Sequence, residues 1–360
     1  MQAKKFLVRH VGNMGDMVFL VPPALDMLKK KFPGCHITFV TAWGFKNRKR
    51  RFPYFRKQDN WGERNQSGFC IALMLADSRI DQLVHFSTTQ LSLTGEICRE
   101  GNKSFPTWSE KHYEEQKKSG TYDDVFELDV GLSQETNPMD TIYEVLGMKG
   151  ETYSNYKLYP SKEDMAVARE VMKDAVTPRI VLLESLDGVT ARNWDPMKVQ
   201  QLTAAIKKTY GVEPLWFGSK HIPTYQGRPL TLMENIATLS YCDVGIGVLS
   251  GPLHFAAAVG LPTLTLYADH PVNRAAPAYF LNEYISDEQK QHRTLLAPTN
   301  YNDIRILKEG STLAGLTPYE QKVQEFVSWH APGKQATKSC LAVLTVDEVM
   351  SVLTDMLSPA

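Results

Sequence analysis

One turn of the sequence combines residue types that suit a phosphate group. Ser250 and Gly251 follow a short apolar run, Pro252 comes next, and His254 lies two residues further on. Pro252 suits the first position of a helix, because its missing N–H would be unpaired there, and Ser250 or Gly251 can cap that helix. The N–H groups and the dipole at such a helix start attract anions. The pattern predicts a phosphate site within reach of His254, although an ordinary strand–turn–helix connection would carry it too.

A second turn places a carboxylate in a comparable position. Gly15 and Asp16 come between a strand predicted over 5–10 and a helix predicted over 17–31. Glycine lets a ligand approach the backbone closely, and open parallel sheets bind ligands at the carboxyl ends of their strands. Asp16 is therefore either a favourable charge at a helix N-terminus or a carboxylate directed into a ligand cleft.

A basic run with interleaved aromatic residues follows the second predicted strand. Positions 46–57 hold seven positive side chains, namely Lys46, Arg48, Lys49, Arg50, Arg51, Arg56 and Lys57. No helix or strand period covers them, so a loop is predicted. Such a run is either a solvated surface or a binding site for an anionic partner, such as a phosphorylated glycolipid or a nucleic acid strand.

The overall composition is that of a folded globular protein. Hydrophobic residues make up 43% of the 360 positions, and the formal net charge is zero, so any attraction to nucleic acid or to an anionic membrane must be local. The five cysteines are scattered without metal-type spacing, which favours reduced thiols in the cytoplasm. We expect no signal peptide and no transmembrane segment.

Strand and helix patterns alternate in both halves of the chain. In the second half, strands are predicted over 179–184, 215–217, 244–247 and 263–267, with helices over 197–208, 232–241 and 346–357. The chain crosses between the halves near 156–160. Alternation of this kind predicts two α/β domains with parallel sheets and a ligand cleft between them.

Several stretches together resemble glycosyltransferase family 9, the lipopolysaccharide heptosyltransferase family. The Gly15-Asp16 turn with its helix resembles the family's opening block. The stretch 250–262 is close to the family's phosphate-loop motif, Asp-Ser-Gly-Pro-x-His-x-Ala-Ala-x-x-x-x-Pro. Thr190, Arg192 and Trp194 stand where the family has a Thr, a Lys and a Trp-Pro before a helix. The resemblance spans most of the chain, thinly over 42–130 and 270–335.

The resemblance implies the GT-B fold, in which two Rossmann-like domains face each other across a cleft. Residues 1–158 would form the N-terminal acceptor-binding domain and 159–340 the C-terminal nucleotide-sugar-binding domain. Residues 341–360 would form a C-terminal helix, for which packing back on the N-terminal domain is one option.

The implied activity is inverting, metal-independent transfer of a sugar from a nucleotide-diphosphate donor to a lipopolysaccharide- or capsule-like acceptor, without a cofactor. Asp16 would be the general base and Arg192 would contact the diphosphate, since a leaving diphosphate needs preorganised positive charge. The donor would meet Thr190, Gly218, Thr231, Ser250, Gly251 and His254. The acceptor would meet Gly15, Arg48, Lys49, Arg50 and Arg51. Peripheral contact with the inner membrane surface is a further expectation.

Two departures from the family leave the donor open. Leu249 replaces the acidic residue that usually precedes the Ser-Gly pair, and Ser219 to His221 stand where the family usually supplies a ribose-binding Glu. The sequence therefore names neither the sugar nor the nucleotide. Three alternatives remain: a GT-B glycosyltransferase that modifies nucleic acid, such as a modified base of phage DNA; a non-catalytic nucleotide-sugar-binding homologue; and a GT-B-fold nucleotide-sugar epimerase.

Overall fold

The structure is a computed structural model. It describes residues 3–11, 14–41, 73–74, 76–87, 97–100, 103–128, 138–151, 157–183, 194–218, 222–248, 250–267, 293–296 and 344–358. The chain divides into a first unit, residues 1–171 with 222–238, and a second unit, residues 172–221 with 239–360. Each unit contains a mainly parallel sheet. The domain boundaries after 158 and after 340 stay predictions.

The first unit is built around a six-stranded sheet. In chain order the elements up to residue 172 are β1 (Lys5–His10), α1 (Met14–Lys31), β2 (His36–Thr41), β3 (Gln82–Ser87), β4 (Ile97–Glu100), β5 (Lys103–Ser109), α2 (Glu110–Lys118), β6 (Asp124–Glu127), α3 (Pro138–Val145) and α4 (Lys162–Met172). The strand order is β4-β5-β3-β2-β1-β6, and only the β4–β5 pair is antiparallel. The order reverses direction between β1 and β6, which makes that pair the switch point of the sheet.

The remaining elements run from residue 180 to residue 357. They are β7 (Ile180–Leu183), α5 (Pro196–Tyr210), β8 (Leu215–Phe217), the hairpin strands β9 (Thr224–Tyr225) and β10 (Arg228–Pro229), α6 (Leu232–Leu239), β11 (Val244–Val248), α7 (Gly251–Ala258), β12 (Thr263–Tyr267), β13 (Arg293–Leu296) and α8 (Val346–Leu357). The second unit's sheet is fully parallel in the order β13-β12-β11-β7-β8, so its switch point lies between β7 and β11.

The strands are continuous apolar runs. Such runs suit parallel sheets because both faces of each strand are buried. Phe6, Leu7 and Val8 of β1 are all fully buried, as are most residues of β7 and β11. The helices cover the sheets with apolar faces, and none of the described helices has the length and apolarity needed to cross a membrane.

The C-terminal helix α8 packs within the second unit. Val349 and Leu353 lie in the same core as Ile206 of α5, and the Trp194 Nε1 donates to the Leu344 carbonyl at 3.3 Å just before the helix. Thr345 and Glu348 form a capping box that fixes where the helix begins. The sequence left open whether this helix packs back on the N-terminal domain. The buried residues Val349 and Leu353 lie one turn apart on the helix and belong to the core of the second unit.

A close approach at the second switch point requires a glycine. A Cβ placed on Gly247 of β11 would lie 2.7 Å from Cβ and 3.0 Å from the carbonyl oxygen of Leu183 in β7. Atoms at that distance cannot shift apart without moving one strand relative to the other. At Gly251, by contrast, the nearest atom to such a Cβ would be the Phe255 Cζ at 3.8 Å, which is ordinary contact.

We therefore expect Gly247→Ala to destabilise the protein and Gly251→Ala to leave its stability unchanged or slightly higher. Overpacking of a well-packed interior costs about 1–3 kcal/mol, whereas Ala in place of a helical Gly is favourable by roughly 0.5–1 kcal/mol. Denaturant unfolding of the two variants measures the difference. Equal unfolding midpoints for Gly247→Ala and the wild type would contradict the close approach.

Candidate functional site

Ser250 begins helix α7 at the carboxyl edge of the second sheet. Its backbone is extended and it is the N-cap residue, yet its side chain makes no capping hydrogen bond. The residue is only 6% exposed, and its Oγ has no hydrogen-bond partner among the described residues. A buried hydroxyl without a partner costs free energy, so this atom is suited to bonding a ligand.

The first turn of α7 also supplies backbone donors. The first amides of a helix have no acceptor within the helix, and the helix dipole places partial positive charge there. Pro252 has no N–H, so Gly251 and Leu253 are the donors of this turn. The packing does not demand a glycine at 251, as the space around its Cα shows. The absent side chain instead leaves the backbone open to a close ligand.

The switch point gathers several of the predicted donor-binding positions at one sheet edge. Ligands of open α/β sheets bind outside the carboxyl ends of the strands at this point. Strand β11 leads towards Ser250, β7 leads into the segment 184–193, and β8 ends at Phe217, directly before the buried Gly218. The rings of Phe217 and Phe255 meet edge to face at 6.3 Å, which ties the end of β8 to α7. Thr190 and Arg192 lie outside the described residues.

His254 is enclosed in the protein interior. It is 4% exposed, and burial lowers its pKa to about 4, so the ring is neutral near pH 7. A neutral imidazole offers a hydrogen bond to a ligand and no positive charge. Its role at a phosphate group stays a prediction.

Thr231 has a structural role at the start of α6. Its N–H donates to the Glu234 Oε2 at 2.7 Å, and the Glu234 N–H donates to the Thr231 Oγ1 at 3.2 Å. Arg228 donates two hydrogen bonds to the same carboxylate, from Nη1 to Oε2 at 2.7 Å and from Nη2 to Oε1 at 2.6 Å. Burial opposes the charge on Glu234, but Arg228 and Thr231 outweigh it and hold its pKa below the ordinary value. The sequence interpretation missed this Arg–Glu pair, although the Thr231-x-x-Glu234 spacing is that of a capping box.

Asp16 is the third residue of α1, which begins three residues earlier than predicted, and Gly15 is the second. Helix α1 directly follows β1, so both residues lie at the switch point of the first sheet. The buried His10 at the end of β1 has its Nδ1 3.3 Å from the Leu128 carbonyl oxygen, which joins the ends of β1 and β6. The role of Asp16 as a general base stays a prediction.

The structure does not describe the predicted acceptor-binding run. Arg48, Lys49, Arg50 and Arg51 fall in the segment 42–72, outside the described residues. Within the described part of the chain, no group of three or more His, Cys, Asp or Glu side chains is arranged to hold a metal ion.

Residues 227–301 match the family model of glycosyltransferase family 9 (heptosyltransferase). The resemblance to this family is confirmed. The matched segment contains Thr231, Ser250, Gly251 and His254, and the predicted enzyme class, a glycosyltransferase, follows from the match. Among curated protein sequences, none matches the chain.

Solved structures of similar fold extend over nearly the whole chain. The glycosyl transferase family 9 protein from Veillonella parvula is 15% identical, with a TM-score of 0.58, and the alignment covers 98% of this chain and 97% of that one. The dodecameric iron-containing heptosyltransferase TibC, in complex with ADP-D-β-D-heptose, is 12% identical with a TM-score of 0.52, covering 99% and 77%. These likenesses confirm the predicted α/β fold of parallel, Rossmann-like sheets.

The burial of His254 predicts how stability changes with pH. Its folded pKa of about 4 lies below the ordinary value of 6.5, so between these pH values the unfolded chain binds a proton that the folded chain does not. The free energy of unfolding should therefore fall as pH drops from 6.5 towards 4. We expect His254→Gln to flatten this dependence in urea unfolding measured from pH 7 to pH 4.5. Burial also lowers the pKa of His85, so some slope should remain. An unchanged slope in the variant would contradict a buried neutral ring.

Proposed function

We propose that the protein is an inverting, metal-independent glycosyltransferase of the cytoplasm that moves a sugar from a nucleotide-diphosphate donor to a lipopolysaccharide- or capsule-like acceptor. One observation carries the proposal. The Ser250–Gly251 turn lies at the switch point of a parallel sheet and within the segment that matches the family, and its buried hydroxyl has no hydrogen-bond partner among the described residues.

The proposed donor site accounts for the charge of the leaving group. The diphosphate would lie against the amides of Gly251 and Leu253 and the Ser250 hydroxyl, where the positive end of the α7 dipole favours an anion. The segment after β7 would add the guanidinium of Arg192 and the hydroxyl of Thr190. His254 would add a hydrogen bond. The TibC structure contains ADP-D-β-D-heptose, which is a donor of this class.

The nucleoside of the donor would lie beside the end of β8. Gly218 is buried there. We also propose that Thr231 contacts the nucleoside. The sugar and the nucleotide are left unnamed because Leu249 and the stretch after Gly218 depart from the family. Neither ADP nor a heptose is therefore part of the proposal.

The proposed chemistry uses Asp16 as the general base. The acceptor hydroxyl oxygen attacks the anomeric carbon from the side opposite the diphosphate, and the carboxylate of Asp16 takes the hydroxyl proton. The bond between the anomeric carbon and the phosphate oxygen breaks, and its electron pair leaves with the diphosphate. Attack from the opposite side inverts the configuration. Backbone amides and Arg192 then stabilise the developing charge, so the scheme needs no metal ion.

The acceptor would be anionic. Gly15 lets it approach the first turn of α1, and Arg48 to Arg51 would hold its negative groups, while the same basic run would bring the protein to the inner membrane surface. A nucleic acid acceptor is the alternative, because aromatic residues are interleaved with the basic ones. Competition by DNA against a glycolipid acceptor would favour that alternative.

We expect Asp16→Asn to lower turnover about 10²–10⁴-fold while donor affinity stays nearly unchanged, because only proton removal is lost. Turnover is followed as release of nucleoside diphosphate with a truncated lipopolysaccharide acceptor. Asp140 provides a matched control, since it is the third residue of α3 as Asp16 is of α1. Asp140→Asn should leave turnover unchanged.

Near-normal turnover in a folded Asp16→Asn variant would exclude Asp16 as the base. A wild type that is inactive with every donor tested would instead favour the non-catalytic alternative. A parallel loss of donor affinity would instead indicate that Asp16 only supports the fold.

A further inference from the structure

An exposed carboxylate ends the last strand of the first sheet. Glu127 is the final residue of β6, and it pairs in register with Arg9 of β1. Strands β1 and β6 form the switch point of this sheet, and ligands of open α/β sheets bind outside the carboxyl ends of such strands. Glu127 is exposed, so a ligand at this edge of the sheet can reach its side chain.

One oxygen of the Glu127 carboxylate is held by two donors from helix α2. The Lys117 Nζ donates to the Glu127 Oε1 at 2.6 Å, and the Tyr113 hydroxyl donates to the same oxygen at 3.3 Å. Tyr113 is fully buried, and its ring meets Phe86 of β3 edge to face at 5.9 Å. Burial, followed by the charge of Glu127, raises the pKa of Tyr113, so the phenol stays protonated and keeps donating. These contacts fix the direction of the carboxylate.

The same surroundings keep Glu127 ionised. The hydrogen bond from Lys117, with smaller contributions from the charge of Arg9 and from Tyr113, holds the pKa of Glu127 below its ordinary value although partial burial opposes this. The Arg9 guanidinium is itself packed on aromatic rings, with its central carbon 4.5 Å from the ring centre of Phe86 and 4.7 Å from that of Tyr113. Glu127 is therefore a rigidly held hydrogen-bond acceptor that carries a charge at neutral pH.

The second oxygen of Glu127 is open to a ligand. Among the described residues, both hydrogen bonds and the ion pair of this side chain end on Oε1, and none reaches Oε2. A carboxylate oxygen accepts hydrogen bonds, and those to a charged acceptor are the stronger ones. An anionic ligand group would be repelled by Glu127, and a cationic one by Lys117 and Arg9 beside it. An uncharged hydroxyl group, which donates a hydrogen bond, meets neither repulsion.

We infer that Glu127 determines the specificity for the acceptor: its Oε2 accepts a hydrogen bond from a hydroxyl group of an uncharged sugar unit of the acceptor. The inference rests on the proposed function, because it assumes that the acceptor binds at the carboxyl edge of the first sheet, where Asp16 begins α1. The basic run 48–51 would hold the negative groups of the acceptor, and Glu127 would recognise a neutral part of the same molecule.

Steady-state kinetics of Glu127→Gln with a truncated lipopolysaccharide acceptor test the inference. The amide oxygen accepts the same hydrogen bond without the charge, so the acceptor KM should rise roughly 10-fold. Both kcat and the donor Kd should stay unchanged, because only binding of the acceptor is weakened. Glu114→Gln is the matched control: Glu114 also pairs with Lys117, at 3.3 Å, and its side chain is 40% exposed against 42% for Glu127, but it lies on α2. Its KM should equal that of the wild type.

Monodeoxy analogues of the acceptor separate a direct contact from a structural role. Each analogue lacks one hydroxyl group, and one of them should raise KM for the wild type because the bond to Glu127 is lost. The same analogue should cause a smaller rise for Glu127→Gln, since this variant has already weakened that bond. A purely structural role would raise KM by the same factor for the parent acceptor and for every analogue.

A further variant keeps the test decisive. If Glu127→Gln does not fold, Lys117→Met releases the Oε1 of the same carboxylate and should give a smaller rise in the acceptor KM with an unchanged donor Kd. An unchanged KM in folded Glu127→Gln, an equal rise in Glu114→Gln, or an equal response to every analogue would overturn the inference while leaving the proposed function in place. A wild type that transfers sugar to no saccharide acceptor would reject the proposed function, and the inference with it.

Discussion

The contact between Gly247 and Leu183 is the constraint on which the candidate site depends. Strands β7 and β11 approach so closely there that a single methyl group would not fit. The two strands are parallel and the sheet order reverses at this pair, so both strands end at the same edge of the sheet. The segment that contains Thr190 and Arg192 and the turn at Ser250 therefore start next to each other. A wider strand pair would separate the groups proposed to hold the diphosphate.

The helices that begin at the two switch points, α1 and α7, differ in the charged residues of their first turns. In the first unit, the sequence places an acidic residue, Asp16, at the third position of α1. In the second unit, the first turn of α7 has no acidic residue, and Leu249 stands where an acid would precede it. The positive end of α7 is left for an external anion. We propose a base at the first helix start and the leaving diphosphate at the second.

Local signals made much of this fold predictable. The bounds of β1, β2, β8, β12 and α8 agree with the sequence predictions, because each is a compact apolar run or has a clear cap. Helix α2 was missed because it buries only Tyr113 and so has no apolar period. Strand β5 was missed because the residues around it are polar and weakly patterned. The β9–β10 hairpin was missed because its strands are two residues long; its turn shows in the positive φ of Gln226 and Gly227.

Some residues of the candidate site could be predicted from the sequence and others could not. Ser250, Gly251 and Asp16 were predictable because a turn, its glycine and the following helix are adjacent in sequence. The contact of His10 with the Leu128 carbonyl was not, because these residues are 118 positions apart in the sequence. The burial of His254 was also hidden, because a histidine in a first turn looks the same whether it faces a ligand or the core.

The Ser250 hydroxyl gives the most direct test of the donor site. Thermal unfolding of the wild type and Ser250→Ala should be compared with and without a set of nucleoside diphosphates and their nucleosides. A ligand at 100 times its Kd stabilises by about 2.7 kcal/mol. Because the hydroxyl is buried without a described partner, Ser250→Ala should be as stable as the wild type or more so when free, yet lose most of the stabilisation by the diphosphate. Equal stabilisation of both proteins, or of the wild type by nucleoside and diphosphate alike, would contradict a diphosphate site at this turn.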